Sequence, residues 1–280
     1  MGFMNQRPEL TLDEARFAKV QLPRRIWSVA SIHGQAEQLA ELHRQLIERF
    51  APGDRLVYLG NYLGVGTAVR ETVDELLRTR RRLLAHPGVY EPCDFIYLRG
   101  AQEEMWSKLL QLQFAPNPRD IYEWLLDHGV GPTIEAYGGT ISAGRANVRD
   151  GPLAITKWTS SLRANVHRSA GHRDWFASLK RAAYTTAPDG GLLFVHASID
   201  PARPLSMQGD VFWWDTGSFD LLDGRFNGFA RVIRGYDHKR RGVMLDTPYA
   251  ATIDGNCGFG GKLVAVCFDP AGQVIDRIEA

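Results

Sequence analysis

Five short polar segments of the 280-residue chain contain the side chains best suited to chemistry, and most of them follow an apolar run. They read ASIHG at 30–34, GNYLGVG at 60–66, RGAQE at 99–103, FVHAS at 194–198 and RGY at 234–236. Two of them hold a histidine, His33 and His196, and a third, His238, follows two residues after the last segment. Imidazole suits zinc, and three protein ligands can hold it. A single transition ion on these histidines is therefore one chemistry that the residue types allow.

Ser31 and His33 suggest a second chemistry, in which a nucleophile lies beside a general base. The segment has no third group that would orient the imidazole, and the spacing only places both side chains in one loop. The glycine-rich segment at 60–66 lacks the lysine and the spacing of a phosphate-binding P-loop. Neither pattern is therefore favoured over a metal-binding origin of the segments.

In their order along the chain, the five polar segments resemble the signature loops of the calcineurin-like metallophosphoesterases. The resemblance is to the phosphoprotein phosphatase family, with its bacterial serine/threonine phosphatases and symmetrical diadenosine tetraphosphatases, whose loops read GDIHG, GDYIDRG, RGNHE, FVHAG and GHT. It extends over about 25–269 and includes positions without chemistry, such as GGKL at 260–263. The resemblance implies an α/β fold, a two-sheet β-sandwich flanked by helices, and phosphate ester hydrolysis with two divalent ions such as Mn²⁺.

Most of the metal ligands that the resemblance implies are missing. The family's six ligands are Asp, His, Asp, Asn, His and His, and their positions fall on Ser31, His33, Asn61, Ala101, His196 and Tyr236. Only the two histidines match. With both carboxylates lost, no anionic side chain at these positions balances two hard cations, which prefer oxygen anions. We expect no cofactor, or at most one weak metal site on His33 and His196, with Asn61 and His238 as further candidate ligands.

The residues that would handle a phosphate ester differ from the family as well. The family's general acid falls on Gln102, whose amide cannot deliver a proton near neutral pH. Its phosphate-binding arginines fall on Val65 and Asp215, and a carboxylate repels phosphate. Arg99 and Arg234 are the cations that remain to line a ligand cleft.

These losses favour a pseudophosphatase, meaning a phosphoesterase scaffold that acts as a binding or regulatory module. The alternative is an active phosphoesterase with a rearranged or mononuclear metal site, of the serine/threonine phosphatase or dinucleoside polyphosphate hydrolase type. An intact catalytic set is not expected at the mapped positions. The expected partner is a protein or a phosphate or nucleotide ligand.

The hydrophobic pattern predicts the elements that position these segments. Apolar runs at 26–29, 55–59 and 95–98 each lead into a polar loop and then into helical periodicity, which predicts a mainly parallel sheet with the loops at its carboxyl edge. Further runs predict a second sheet, at 192–195, 230–233, 243–245 and 262–268. We expect a loose arm over 1–24, then a single domain over 25–280 with a cap-like helical insertion at about 114–180.

Composition limits the classes of partner and compartment. A net charge of +1 gives no global attraction to nucleic acid or an anionic membrane, so nucleic acid is not favoured. The best local basic patch is Arg78, Arg80, Arg81 and Arg82, which also suits a solvated helix end. The first 25 residues lack the continuous apolar run of a signal or anchor, and no membrane association is expected. Three scattered cysteines form no disulfide framework or thiolate site, which favours the cytoplasm.

Overall fold

A computed structural model describes residues 12–86, 89–215 and 217–280, which contain ten strands and eight α-helices. The strands are β1 (Phe17–Lys19), β2 (Arg25–Val29), β3 (Asp54–Tyr58), β4 (Phe95–Tyr97), β5 (Ala182–Tyr184), β6 (Leu192–Val195), β7 (Arg231–Arg234), β8 (Ala250–Thr252), β9 (Val264–Phe268) and β10 (Val274–Glu279). The helices are α1 (Ala36–Arg49), α2 (Val69–Leu84), α3 (Ala101–Leu110), α4 (Pro118–Asp127), α5 (Gly131–Ala136), α6 (Ile141–Asp150), α7 (Pro152–Arg168) and α8 (His172–Ser178).

The strands form two five-stranded sheets that pack face to face. The first has the order β10-β9-β2-β3-β4, and the second β1-β5-β6-β7-β8. One buried cluster joins Ile26 and Val57 of the first sheet to Phe194 and Ile233 of the second, so it is the core between the sheets. Side chains on the other face of the first sheet, such as Trp27, pack with the helices. This arrangement is the predicted two-sheet sandwich flanked by helices.

The first sheet contains the three predicted strand-loop-helix units. Strand β2 pairs parallel with β3, and β3 pairs parallel with β4, so the loops that follow them leave the same edge. Strand β9 pairs antiparallel with β2, and β10 pairs antiparallel with β9. The run at 262–268 therefore contributes to the first sheet, and its predicted place in the second sheet was wrong. All five residues of β9 are buried, and a run buried on both faces does not show which strand it pairs with.

The second sheet is built around the parallel strands β6, β7 and β8, with β5 antiparallel to β6 and β1 at the edge. The strand predicted at 243–245 does not form, because Met244 makes only an isolated bridge to Thr252. Strands β1, β5 and β8 were not predicted, and each is only three residues long. Three residues are too few to show the alternation of apolar and polar side chains by which a strand is recognised in a sequence.

The segment predicted as a helical cap contains helices α4 to α8, all within 118–178. Residues 1–11 of the predicted arm lie outside the described residues, whereas Phe17–Lys19 forms β1. The division into an arm and a single domain stays a prediction. Among the described residues, no helix combines the length and the apolar composition needed to cross a membrane.

Candidate functional site

Backbone hydrogen bonds bring the polar segments that follow β2, β3, β6 and β7 together. The amides of Ile32 and His33 both donate to the carbonyl oxygen of Asn61, at 3.0 and 2.7 Å. The amides of Gly235 and Tyr236 donate to the carbonyl oxygen of His196, each at 3.0 Å. The amide of Ser31 donates to the carbonyl oxygen of Gly235 at 3.0 Å, and this bond joins the two pairs. These four polar segments therefore lie together in one cluster of loops, and their role as a site stays a prediction.

Glu103 joins the polar segment at 60–66 to the one at 99–103, which follows β4. Its carboxylate accepts hydrogen bonds from the amides of Asn61, Tyr62, Leu63 and Gly100, at distances of 2.8 to 3.1 Å. Burial raises the pKa of Glu103, and these four amide bonds act against that rise. The side chain is buried, and its acceptor capacity is used within the protein. Glu103 is therefore an organiser of the loops at 60–66 and 99–103.

His196 is a neutral imidazole with a defined orientation. Its Nδ1 lies 2.6 Å from the carbonyl oxygen of Leu59, and because a carbonyl only accepts, Nδ1 carries the proton. The Nε2 lone pair is buried and has no hydrogen-bond partner within the described residues. Burial lowers the pKa of His196 to about 4, although the Leu59 bond acts in the opposite direction. One unprotonated nitrogen is thus directed into the site.

Asn61 occupies the position where the resemblance places a bridging carboxylate. Its Oδ1 accepts a hydrogen bond from the amide of Gln102 at 2.9 Å, so the side-chain nitrogen must be the atom that faces His33. That nitrogen, Nδ2, lies 3.4 Å from Nε2 of His33. The Asn61 oxygen and the His33 Nε2 lone pair are therefore both engaged within the protein.

His33 is also held neutral. Burial is the main cause that lowers its pKa, to about 3, and His196 and Arg240 lower it further. Since Nε2 accepts from Asn61, the proton lies on Nδ1, which is buried and unpartnered among the described residues. The residue has a backbone φ of 54°, and Asn61 has one of 53°. Both lie in the left-handed region that non-glycine residues seldom adopt, and which is over-represented at functional sites.

Tyr236 places an aromatic ring against both histidines. Its ring stacks on that of His196, with centroids 5.3 Å apart and planes 4° from parallel, and meets His33 edge-on at 5.8 Å. Burial, followed by the charge of Asp254, raises the pKa of the Tyr236 phenol, so the group is neutral near pH 7. The position that the resemblance assigns to a third histidine therefore carries an uncharged phenol.

Gln102 and Ala101 begin helix α3 at the side of the site. The Gln102 Nε2 donates to the carbonyl oxygen of His128 at 2.7 Å, which ties the site to the region after α4. Its Oε1 is buried without a partner in the described parts of the chain, as is the Oγ of Ser31. Ala101 offers only a buried methyl group. None of these three side chains carries a charge.

Arg234 is fully buried and paired with carboxylates. Its Nη1 lies 2.7 Å from Asp215, its Nη2 lies 3.1 Å from Asp237, and its Nε donates to Thr252 at 2.9 Å. Asp215 is the residue that the resemblance aligns with a phosphate-binding arginine, so the carboxylate here pairs with an internal cation. The role of Arg234 at a ligand cleft stays a prediction, and a ligand would have to disrupt this pairing.

Arg99 and His238 have partners of their own. The Nη1 of Arg99 lies 3.1 Å from Glu104, and His238 Nδ1 lies 3.4 Å from Asp215. In the described ranges, the one group of three ligand-type side chains with mutually close donor atoms is Asp215, Asp237 and His238, within 4.8 Å. Two of its members already neutralise Arg234. Sequence reasoning missed this group, because no spacing pattern links 215 to 234–238.

The donors at the mapped positions do not fit a centre of two hard divalent ions. His196 offers one free nitrogen, His33 has its Nε2 engaged, and the Asn61 oxygen is bonded to Gln102. Such ions bind carboxylate oxygens by preference, and none of these positions supplies one. The side chains at these positions therefore do not support a two-metal hydroxide as the nucleophile.

The sequence matches no protein-family model and no curated protein. Solved structures do match. A crystal structure described as a candidate diadenosine tetraphosphatase has 19% identity and a TM-score of 0.50, over 95% of this chain and 98% of that one. A protein serine/threonine phosphatase from Saccharomyces cerevisiae has 14% identity and a TM-score of 0.44, over 95% and 82%. A metallophosphoesterase from Sphaerobacter thermophilus has 16% identity and a TM-score of 0.41, over 92% of this chain and 88% of that one.

The first of these likenesses, together with the two-sheet topology, shows the fold of the chain. The chain has the calcineurin-like phosphoesterase fold, as the five polar segments predicted. At this level of identity the likeness concerns the fold, and activity has to be argued from the side chains.

Both site imidazoles are expected to stay neutral from pH 8 to pH 5. The pKa values of His33 and His196 lie at about 3 and about 4, below their ordinary 6.5, because burial penalises the cation. The folded-state values are depressed, so the stability linked to them is present above pH 6.5 and is lost as the pH falls toward 4 and 3. Ring ¹⁵N NMR shifts, compared with those of urea-denatured protein, measure this directly. Titration of either ring with a midpoint above about pH 6 would contradict the assignment.

Proposed function

We propose that this protein is a pseudophosphatase, a phosphoesterase scaffold that does not hydrolyse phosphate esters and acts as a binding or regulatory module. The observation that carries the proposal is the orientation of Asn61. Its oxygen accepts from the Gln102 amide and its nitrogen faces His33. A cation at this point would have to break both contacts and would gain no anionic ligand.

Other residues of the site support the same proposal. The uncharged ring of Tyr236 packs against His33 and His196. Gln102 replaces the general acid with an amide that has no proton to deliver near neutral pH. Loss of a metal ligand alone can be offset by a neighbouring carboxylate, but Asp215 and Asp237 are already paired with Arg234. The metal centre and the proton donor are therefore both altered.

The site retains buried polar atoms whose hydrogen bonds a polar occupant could satisfy. Within the described residues, four of its buried polar atoms have no hydrogen-bond partner, namely Ser31 Oγ, His33 Nδ1, His196 Nε2 and Gln102 Oε1. Buried polar atoms are rarely left unsatisfied, and ordered water commonly satisfies them. The proposal includes a protein or phosphate ligand as the partner, and the cytoplasm as the compartment, with which the free thiols of the three cysteines are compatible.

Metal content and turnover test the proposal together. Protein purified without a histidine tag is expected to hold less than about 0.1 equivalents of Mn, Zn or Fe by elemental analysis. With p-nitrophenyl phosphate, a phosphopeptide or diadenosine tetraphosphate, added Mn²⁺ is expected to give no more turnover than it does with a His33→Ala/His196→Ala variant. Turnover that rises with Mn²⁺, disappears with chelator and is lost in the double variant, but kept in His238→Ala, would overturn the proposal.

A second candidate is an active phosphoesterase with one metal ion, and a specific observation favours it. His196 donates Nδ1–H to the Leu59 carbonyl and keeps its Nε2 free. A hydrogen bond of this kind commonly fixes the tautomer of a metal-binding histidine. The same experiment separates the two candidates, since one equivalent of tightly held metal that His196→Ala abolishes would favour this one.

A further inference from the structure

A cavity of about 670 Å³ lies between the edge strands β1 and β4 and the helices α2 and α8. None of its lining residues belongs to the five polar segments, so it is separate from the histidine site. Its volume falls within the range of about 300–1,000 Å³ that is usual for small-molecule sites. We call it the edge groove.

The edge groove is rich in cations that lack acidic partners. Lys19, Arg80, Arg81 and Lys180 line it, against the two acids Glu14 and Asp174. Within the described residues, the side chains of Lys19, Arg80 and Arg81 make no hydrogen bond or ion pair, and the amine of Lys180 donates only to backbone carbonyls. Helix α2 also carries Arg78, but that residue is paired with Glu75. Of the four arginines in the basic patch, Arg80 and Arg81 therefore line the groove, whereas Arg78 and Arg82 do not.

Arg80 provides the most specific observation. Its Nε is buried without a hydrogen-bond partner in the described residues, although the side chain reaches the groove. Arg80 and Tyr97 both line the groove, and the positive charge of Arg80 opposes the rise that burial causes in the pKa of Tyr97. A buried guanidinium N–H without a partner is costly. Phosphate oxygens suit the part of the guanidinium that reaches the groove, because they can accept two parallel hydrogen bonds from it.

Another part of the lining is apolar and aromatic. Phe17, Phe95, Tyr97 and Trp175 line the groove together with Leu77. The protein itself already covers most of these aromatic side chains, and the apolar surface that they still present to the groove could be covered by an organic group attached to a phosphate, which an inorganic ion lacks. The lining therefore combines a basic end with an apolar wall.

We propose that the edge groove binds a phosphorylated small molecule, with its phosphate at Arg80 and Arg81 and its organic part against the aromatic wall. The proposal does not depend on whether the histidine site is active, because the two sets of residues do not overlap. It adds a ligand site to the proposed binding module without using any altered catalytic position.

Calorimetric titration with AMP in EDTA tests the edge groove, with Arg80→Gln and Arg81→Gln compared with Arg82→Gln. Arg82 lies on the same helix but does not line the groove. We expect AMP to bind the wild-type protein, and each groove variant to bind about 10- to 100-fold more weakly, the change expected when one hydrogen bond to a charged group is lost. Arg82→Gln and His196→Ala are expected to bind like wild type, and added NaCl should weaken binding.

Four results would overturn the proposal. They are no AMP binding at millimolar concentration, equal binding by the Arg80→Gln and wild-type proteins, loss of binding in His196→Ala, and binding of inorganic phosphate as tight as that of AMP. Circular dichroism and the thermal midpoint of each variant show whether it is folded. Because both arginines are at least partly exposed, both groove variants are expected to fold.

Discussion

A variant that restores the ligands of the calcineurin-like family is expected to bind about two Mn²⁺ per chain, whereas the wild-type protein is expected to bind fewer than about 0.1 equivalents. It combines Ser31→Asp, Asn61→Asp, Ala101→Asn and Tyr236→His. The loops that hold these positions are already joined by backbone hydrogen bonds and by Glu103. What the site lacks is negative charge and a third imidazole, so side-chain replacement alone should supply the centre.

The change at Asn61 is the most informative of the four. In Asn61→Asp, one oxygen keeps the hydrogen bond from the Gln102 amide, and the other replaces the Nδ2 that now faces His33. Asp tolerates the left-handed backbone of this position nearly as well as Asn does. Tyr236→His removes the ring that packs against both histidines. Together these two changes place a carboxylate beside His33 and remove the aromatic ring that packs against both histidines.

Stability provides a second measurement on the same variant. Ser31 and Asn61 are fully buried, so the new carboxylates lack solvent, and the metal-free variant should unfold more easily than wild type. Mn²⁺ at 100 times its dissociation constant should then add about 2.7 kcal/mol per bound ion to the free energy of unfolding. Tyr236→His alone, and the fourfold variant with His196→Ala, are the controls. If the folded fourfold variant binds no Mn²⁺, the scaffold itself has lost the site, and side-chain loss is not the explanation.

The sequence could predict the fold and the meeting of the five polar segments, because both depend on local patterns. Strands β2, β3 and β4 end where glycine and polar residues begin, and parallel strands place such ends at one edge. The place of β9 was not predictable in this way, since its buried residues fit either sheet. The pairing of Arg234 with Asp215 was not predictable either, because the two residues are 19 positions apart and no periodic pattern links them.

Which nitrogen of each histidine carries the proton could not be predicted from the sequence. The sequence indicates that His33 and His196 lack their metal partners, but it does not show which nitrogen of each is free. That depends on the Leu59 carbonyl and on the direction of the Asn61 amide, both of which are tertiary contacts. The ring of Tyr236 could have been read as a lost ligand only, whereas its stacking on His196 makes it a structural part of the site.

Replacing Arg234 with Met is expected to lower the free energy of unfolding by about 3–5 kcal/mol, the loss typical of removing one partner from a buried ion pair. The guanidinium is fully buried, lies 2.7 Å from Asp215 and 3.1 Å from Asp237, and covers the ring of Phe219 at 4.2 Å. Without it, the Asp215 carboxylate keeps, among the described residues, the hydrogen bond from the Gly217 amide and the half-exposed His238, which is an ion-pair partner only if it is protonated. Urea unfolding at pH 7 measures the loss.

The loss in the free energy of unfolding caused by Arg234→Met is expected to depend on pH. Burial acts to raise the pKa of Asp237, but Arg241 and Arg234 outweigh it, and the pKa is lowered from 3.8. A depressed pKa stabilises the fold above the unfolded value and loses that contribution as the pH falls. The difference between wild type and Arg234→Met should therefore be largest near pH 7 and should shrink as the pH falls below about 4.

Two variants separate the charge of Arg234 from its packing. Arg234→Met/Asp215→Asn removes one of the stranded charges and should regain part of the loss, because an amide is cheaper to bury than an unpaired carboxylate. Arg241→Met removes a partly exposed partner of Asp237 and should cost less, about 1 kcal/mol or below. If the double variant is no more stable than Arg234→Met, and the loss does not change with pH, then the side chain acts through packing on Phe219 and its charge has been compensated elsewhere. In that case, the ion pairs of Arg234 would not explain why the segment at 234–236 lies beside His196.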